Sequence, residues 1–247
     1  MNDLAYITKL PVLDAVRETF REVGQKWPAL FLALLIPAIS LIVAEHFQSQ
    51  LPTTLVNSIV FTCILLPINA LFAIVCHRII ILGPDSLPRA IGVFWTGRET
   101  RFVGWQIAMI ILGIALSVVL IPFFLLVRSQ AAMDVLIPTV LLPVVLYLSS
   151  RVLMVFPAAA TDQKTSIQDS WELTRDNGWR VVAATSIPML PLGIPVFSFL
   201  QWGPEELSFG AWIVFDVLLY VISAISICAI SVTYRMLANP TNDEEWE

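Results

Sequence analysis

Six stretches of this sequence contain no Asp, Glu, Lys or Arg: residues 27–44, 47–76, 102–127, 135–150, 181–204 and 217–234. A helix crosses the hydrocarbon of a bilayer in roughly 20 residues, and most of these runs reach that length. A soluble helix needs a polar face, which such runs cannot supply. Composition points the same way. With 57% hydrophobic residues, 13% charged residues and a mean hydropathy of +0.81, too few polar groups remain to cover a soluble surface. The expected fold is an all-α membrane protein with six transmembrane helices. It forms a single polytopic domain over residues 1–247, with no room for a separate soluble domain.

The basic residues are unevenly placed. Lys9, Arg17, Arg21 and Lys26 precede the first run. Arg78, Arg89, Arg98 and Arg101 lie between the second and third, and Arg151, Lys164, Arg175 and Arg180 between the fourth and fifth. Arg235 ends the last run, and only Arg128 falls in a connection of the other side. Positive residues collect on the cytoplasmic side of membrane proteins. Both termini are therefore expected in the cytoplasm of a bacterium, with the chain in its inner membrane. No small-residue cleavage site follows a short apolar region, so no cleaved signal peptide is expected.

The connections resemble one another. "RETFREVGQKW" (Arg17–Trp27), "RETRFVGW" (Arg98–Trp105) and "SWELTRDNGW" (Ser170–Trp179) each stand before an odd-numbered run. The even-numbered runs end in "HRIIILGP", "SRVLMVFP" and "YRMLANP", with Arg78, Arg151 and Arg235 followed by Pro84, Pro157 and Pro240. This pattern implies three tandem hairpins over 11–84, 86–157 and 165–240, each preceded by an amphipathic helix in the headgroup layer. Gly24 and the pair Asn177-Gly178 read as stops for two of those helices, and Thr165 or Ser166 as the cap of the third.

Each unit supplies one acid, Glu18, Glu99 and Glu172, and one span-terminal arginine, Arg78, Arg151 and Arg235. A guanidinium at the edge of the hydrocarbon needs a partner. Glu–Arg pairs joining the surface helices to the returning spans are therefore expected, as registry contacts rather than catalytic ones.

Within the apolar runs, polar candidates are few. Asn69 is expected to hydrogen-bond to a neighbouring helix. Asp216, a few residues into the sixth span from its outer side, is expected to pair with Arg128. Pro188, Pro191 and Pro195 should bend or partly unwind the fifth span, which marks either helix packing or the hinge of a transporter.

The combination of "HRIIILG", "GRETRF", "SRVLMVFPAAA" and "SWELTRDNGWR" resembles uncharacterised bacterial integral-membrane proteins related to the membrane domain of glycerophosphoryl diester phosphodiesterase. The resemblance implies a bacterial inner-membrane protein. It carries no activity across, because the chain has no space for the soluble catalytic barrel, and no functional residues transfer with it.

Little chemistry is written in the sequence. His46 and His77 fall at opposite ends of their runs and cannot share a metal, and no HExxH, GxSxG, CxxC or phosphate loop occurs. No metal or cofactor is expected. Cys63, Cys76 and Cys228 lie in apolar runs and read as buried small hydrophobes. Ser149 and Ser150, near His77 in depth, are the one weak nucleophile–base arrangement. The basic residues are too dispersed for nucleic acid. The leading expectation is a non-enzymatic scaffold or accessory protein that binds membrane lipids, a membrane-protein partner or a second copy. A transporter or channel for a small or amphiphilic solute comes second, and an intramembrane enzyme third.

Overall fold

The computed structural model describes residues 9–86, 95–126, 129, 136–202 and 208–238. Among these residues all regular structure is helical: α1 (Val12–Ser49), α2 (Leu55–Leu82), α3 (Gly97–Leu126), α4 (Leu142–Val152), α5 (Val155–Ala160), α6 (Ile167–Leu173), α7 (Gly178–Ser186), α8 (Leu190–Trp202) and α9 (Phe209–Ala238). Six segments are long and apolar enough to cross a membrane: α1, α2, Gly97–Val119, Thr139–Ala160, Gly178–Gln201 and Gly210–Ala238. The protein is a multi-pass membrane protein.

α1 departs from the expected plan. Its 38 residues, at about 1.5 Å each, outrun the bilayer core. Where a surface helix ending at Gly24 was expected, the helix continues unbroken through Gly24, Pro28 and Pro37 into the span. The start of α1 is packed into the core, where Leu10 and Ala15 are fully buried beside Val181 and Tyr234. "GRETRFVGW" likewise forms the first turns of α3 itself. Among the described residues, the third connection carries a separate short helix, while residues 87–94 of the second lie outside them. Ser166 and Asp169 form a reciprocal capping box at the start of α6.

Prolines leave local signatures. The fifth span is interrupted by a 3-10 turn at Ile187–Met189 between α7 and α8, where Pro188 and Pro191 lack the N–H groups that would continue the α-helical ladder. The fourth span opens with a π-helical turn at Ile137–Leu141, directly before Pro143 in α4.

Lipid tails are as apolar as leucine, so these helices associate through fit rather than through the exclusion of water. α1, α2 and α9 meet around Leu34, Leu41, Phe72, Cys76, Cys228 and Val232. α3 and α5 close on α2 through Phe102, Ala70, Ala73, Ala159 and Ala160. Small residues at these seams let the backbones approach. Cys76 and Cys228 are buried there, whereas Cys63 is exposed on the apolar exterior rather than buried as expected.

Gly178 makes one such approach possible. It is the first residue of α7, not a helix stop. The turn after α6 is instead made by Asp176 in the left-handed region, at φ 61°. A Cβ on Gly178 would collide with the ring of Tyr147 in α4. Gly178→Ala should therefore lower the stability of the detergent-solubilised protein by about 1–3 kcal/mol. Gly193→Ala, where the added atom meets nothing within 4 Å, should not. Thermal unfolding of the two variants side by side checks this.

Candidate anion-binding site

The connections collect at one end of the bundle, and its charges are cross-braced. Arg235 of α9 places Nη2 2.7 Å from Glu18 and 2.7 Å from Glu22 of α1. Lys26 reaches Glu22 at 2.7 Å and donates to the Ile80 carbonyl of α2 at 3.0 Å. Glu22 lies outside the uncharged run 27–44. Burial alone would raise its carboxyl, but hydrogen bonds from Lys26 and Arg235 outweigh this and hold it below the usual carboxylate range.

The other two expected pairs are replaced. Glu99 is taken up by its own helix. It accepts from the Thr96 backbone N–H at 2.7 Å and from the Thr96 hydroxyl, while Thr96 Oγ1 accepts from the Arg98 N–H at 3.3 Å. This is the reciprocal cap of a Thr-x-x-Glu sequence. Arg98 then binds Glu99 at 2.7 Å. Glu172 projects from the exposed face of α6, 3.4 Å from Gln168, and meets no arginine among the described residues.

Arg151, 4% exposed, is met by no carboxylate among those residues. Its guanidinium donates to the Thr174 carbonyl and stacks 4.6 Å from the ring centroid of Trp171. Ser170 returns a bond to the Arg151 carbonyl at 2.8 Å. The same connection clasps the lead into α1. Asn177 accepts from the Leu10 N–H at 2.8 Å, and Arg180 donates to the Leu10 carbonyl at 2.9 Å. "SWELTRDNGW" is thus a clasp around Arg151 and Leu10.

The acid that sequence reasoning missed is Asp162, in the turn after α5. Its backbone is left-handed, at φ 64°, a conformation that Asp tolerates better than most residues. Three guanidinia converge on its carboxylate: Arg78 at 3.2 Å, Arg98 at 3.2 Å and Arg101 at 3.4 Å. Arg78 also donates to the carbonyls of Ala160 and Ser86, each at 3.1 Å. Beside this knot lies an open groove of about 410 Å³, lined by Arg101, Gly104, Trp105 and Ala108 of α3, Ala159 of α5, and Gln163, Lys164 and Thr165. Its ionisable lining residues are both cations. With Arg78, Arg98, Glu99 and Asp162 alongside, four cations face two carboxylates. Such a site favours an anion.

The remaining candidates take local or structural roles. Asn69 donates to Leu65 one turn back at 3.1 Å rather than across to another helix. His77 is buried against Ser231 at 2.7 Å, not against Ser149 or Ser150. The Ser231 hydroxyl also lies 2.8 Å from the Ile227 carbonyl one turn back, the local backbone contact common for serine in a helix. Ser150 donates to the Tyr147 carbonyl at 2.7 Å, with the Gly178 carbonyl at 3.2 Å. Asp216 is 7% exposed, and its Oδ2 has no hydrogen-bond partner. Arg128, its expected partner, lies outside the described residues. No group of three His, Cys, Asp or Glu that could hold a metal occurs among the described residues.

No family model, curated protein or solved structure matches the chain, so the resemblance of its connections to the phosphodiesterase membrane domain rests on those residues alone.

A cation–π contact contributes roughly 0.5–2 kcal/mol according to its exposure, and an ammonium does not reproduce a guanidinium that at once packs on the Trp171 ring and donates to the Thr174 carbonyl. Arg151→Lys should therefore destabilise nearly as much as Arg151→Ala. A double-mutant cycle of Arg151→Lys with Trp171→Leu should give a coupling of about 1–2 kcal/mol, read from unfolding free energies in detergent.

Proposed function

We propose that the protein is a non-enzymatic scaffold or accessory protein of a bacterial inner membrane, with both termini cytoplasmic, that binds anionic lipid at its basic end. The observation that carries this reading is the surface of that end. Trp27, Trp95, Trp171 and Trp179 are all exposed there, between 42% and 57%, among exposed Lys9, Arg21, Arg101 and Lys164. Indole rings favour headgroup depth, and basic side chains at that depth draw anionic headgroups. The distribution of Lys and Arg supports the cytoplasmic placement.

Three tandem hairpins remain our reading of the architecture. Its support is the parallel use of the span-terminal arginines. Arg78 donates to Ala160, Arg151 to Thr174 and Arg235 to Ile80, each to a backbone carbonyl of another connection or span.

The lipid reading is tested in nanodiscs. Stability in phosphatidylcholine should rise when about a third of the lipid is phosphatidylglycerol, and the gain should shrink as salt is added, since exposed charges are screened over about 10 Å at 0.1 M. Equal unfolding temperatures in the two lipid mixtures, at low salt, contradict it.

A second reading, a transporter, draws on the opposite end. Asp216 of α9 is buried with an unpartnered oxygen, within electrostatic reach of Glu45 of α1, and intramembrane carboxylates are characteristic of ion pathways. The scaffold reading predicts no proton or cation flux in proteoliposomes. A flux abolished by Asp216→Asn would favour the transporter.

A further inference from the structure

We propose that the groove beside the Asp162 knot is a discrete binding site for one phosphate-bearing lipid. Its phosphate would be held by Arg101 and Lys164, and its acyl chains would lie along α3. The inference rests on the lipid-binding reading above and adds a location, a ligand class and a stoichiometry to it.

Charge is the first argument. Asp162 is the nearest carboxylate, and it is already shared by three guanidinia. The Arg101 contact, at 3.4 Å, is the longest of the three, and the Arg101 side chain is 41% exposed against 13% and 15% for Arg78 and Arg98. Arg101 is therefore the member best placed to turn toward a second anion. Lys164 lines the same groove and is exposed. A fork of N–H donors and a flexible ammonium suit the oxygens of a phosphate.

Neutral donors complete the lining. The Gln163 carboxamide oxygen accepts from Tyr234 at 2.5 Å, which leaves its NH2 group as a donor. The Thr165 hydroxyl reaches its neighbour's carbonyl only at 3.5 Å and is available to a stronger acceptor. No carboxylate lines the groove. A cation or a basic peptide would find no partner there.

Shape is the second argument, and it separates a lipid from a free ion. The wall supplied by α3 is Gly104, Trp105 and Ala108. A Cβ at Gly104 would meet nothing within 4 Å. One turn further into the span, Ile111 and Leu112 are 61% and 48% exposed. α3 is also the least covered span, with 6% of its apolar window buried against 17–28% in the others. A phosphate between Arg101 and Lys164 thus sits at the head of an uncovered apolar track, which is the arrangement of polar head and acyl chain in a phospholipid.

Native mass spectrometry of the full chain in detergent tests the proposal, with phosphatidylglycerol, diacylglycerol of the same chains, and inorganic phosphate as probes. One phosphatidylglycerol should be retained per protein, diacylglycerol should not, and inorganic phosphate should compete only weakly. Arg101→Ala with Lys164→Ala should weaken retention at least about tenfold, a change of about 1.4 kcal/mol. Ala108→Phe, which fills the groove and leaves every charge in place, should do the same. Arg17→Ala with Arg175→Ala, which removes equal charge from the same end, should leave the bound lipid in place.

Equal loss in that control would overturn the groove as a site and leave a diffuse surface attraction. Wild-type retention in the groove variants would overturn it as well. Tight binding of inorganic phosphate alone would replace the lipid with a free anion. Failure of the wild-type chain to hold any phosphatidylglycerol, together with no stabilisation in anionic nanodiscs, would remove the lipid-binding reading itself.

Discussion

A guanidinium at the edge of the hydrocarbon must be met by an acceptor, and the folding of the basic end follows from that requirement. An unpaired buried charge costs several kcal/mol even after relaxation. Arg78, Arg151 and Arg235 stand where returning spans leave the apolar layer, and each finds a main-chain carbonyl on another segment. The carbonyls at helix ends are suited to this use, because the last turn of a helix leaves acceptors without intrahelical donors. Ala160 is the last residue of α5, and Ile80 lies in the last turn of α2. Bracing spans through these groups ties the ends of α2, α5 and α9 to one another. Carboxylates then adjust the balance of charge, with Glu18 and Glu22 serving Arg235 and Asp162 serving Arg78.

That division explains what sequence could and could not reveal. Spans were legible because a bilayer tolerates no charge in them, which leaves uncharged runs that no other fold needs. The importance of Arg78, Arg151 and Arg235 was legible for the same reason. Their partners were not, because a carbonyl is present at every residue and leaves no mark on the sequence. Repeat logic pointed to Glu99 and Glu172 as partners. Glu99 stands three residues after Thr96, and the capping pattern Thr-x-x-Glu was the signal that it had local work. Asp162 sat unnoticed in "AAATDQK". Its role depends on a left-handed turn that brings α3 within reach, and that proximity is a property of the packed fold. The groove was hidden for the same reason, since its walls come from α3, α5 and a loop some 60 residues away in sequence.

Continuity of α1 was missed through a related error. Gly24 reads as punctuation when taken singly, yet it is accommodated inside a helix whose neighbours hold it. Lys26 and Glu22 on one face engage Arg235 and α2, while Leu10 and Ala15 enter the core at its base. Tertiary contacts outweigh the weak local preference against helix at such positions. The Gly178 position shows the opposite case. There the glycine is needed for space against Tyr147, a constraint that the Asn-Gly pair suggested only as a turn.

The two ends of the bundle handle buried charge differently, and the contrast bears on function. At the basic end ion pairs and main-chain carbonyls cross-link the buried charged groups around one donor-rich groove. At the other end the Asp216 carboxylate is enclosed with an oxygen unmet and Glu45 close by. Movement at the basic end would have to break the pairs of Arg235 with Glu18 and Glu22. Any movement coupled to Asp216 would have to arise between α1 and α9 near that opposite end. The interrupted fifth span is tied to both helices: α7 and the 3-10 turn at Ile187–Met189 pack on α1 and α9. The physical demands of scaffold and transporter therefore diverge at one interface. A scaffold needs α1 and α9 locked along their whole length, whereas a transporter needs them to part at Glu45 and Asp216 while Arg235 holds them together at Glu18 and Glu22.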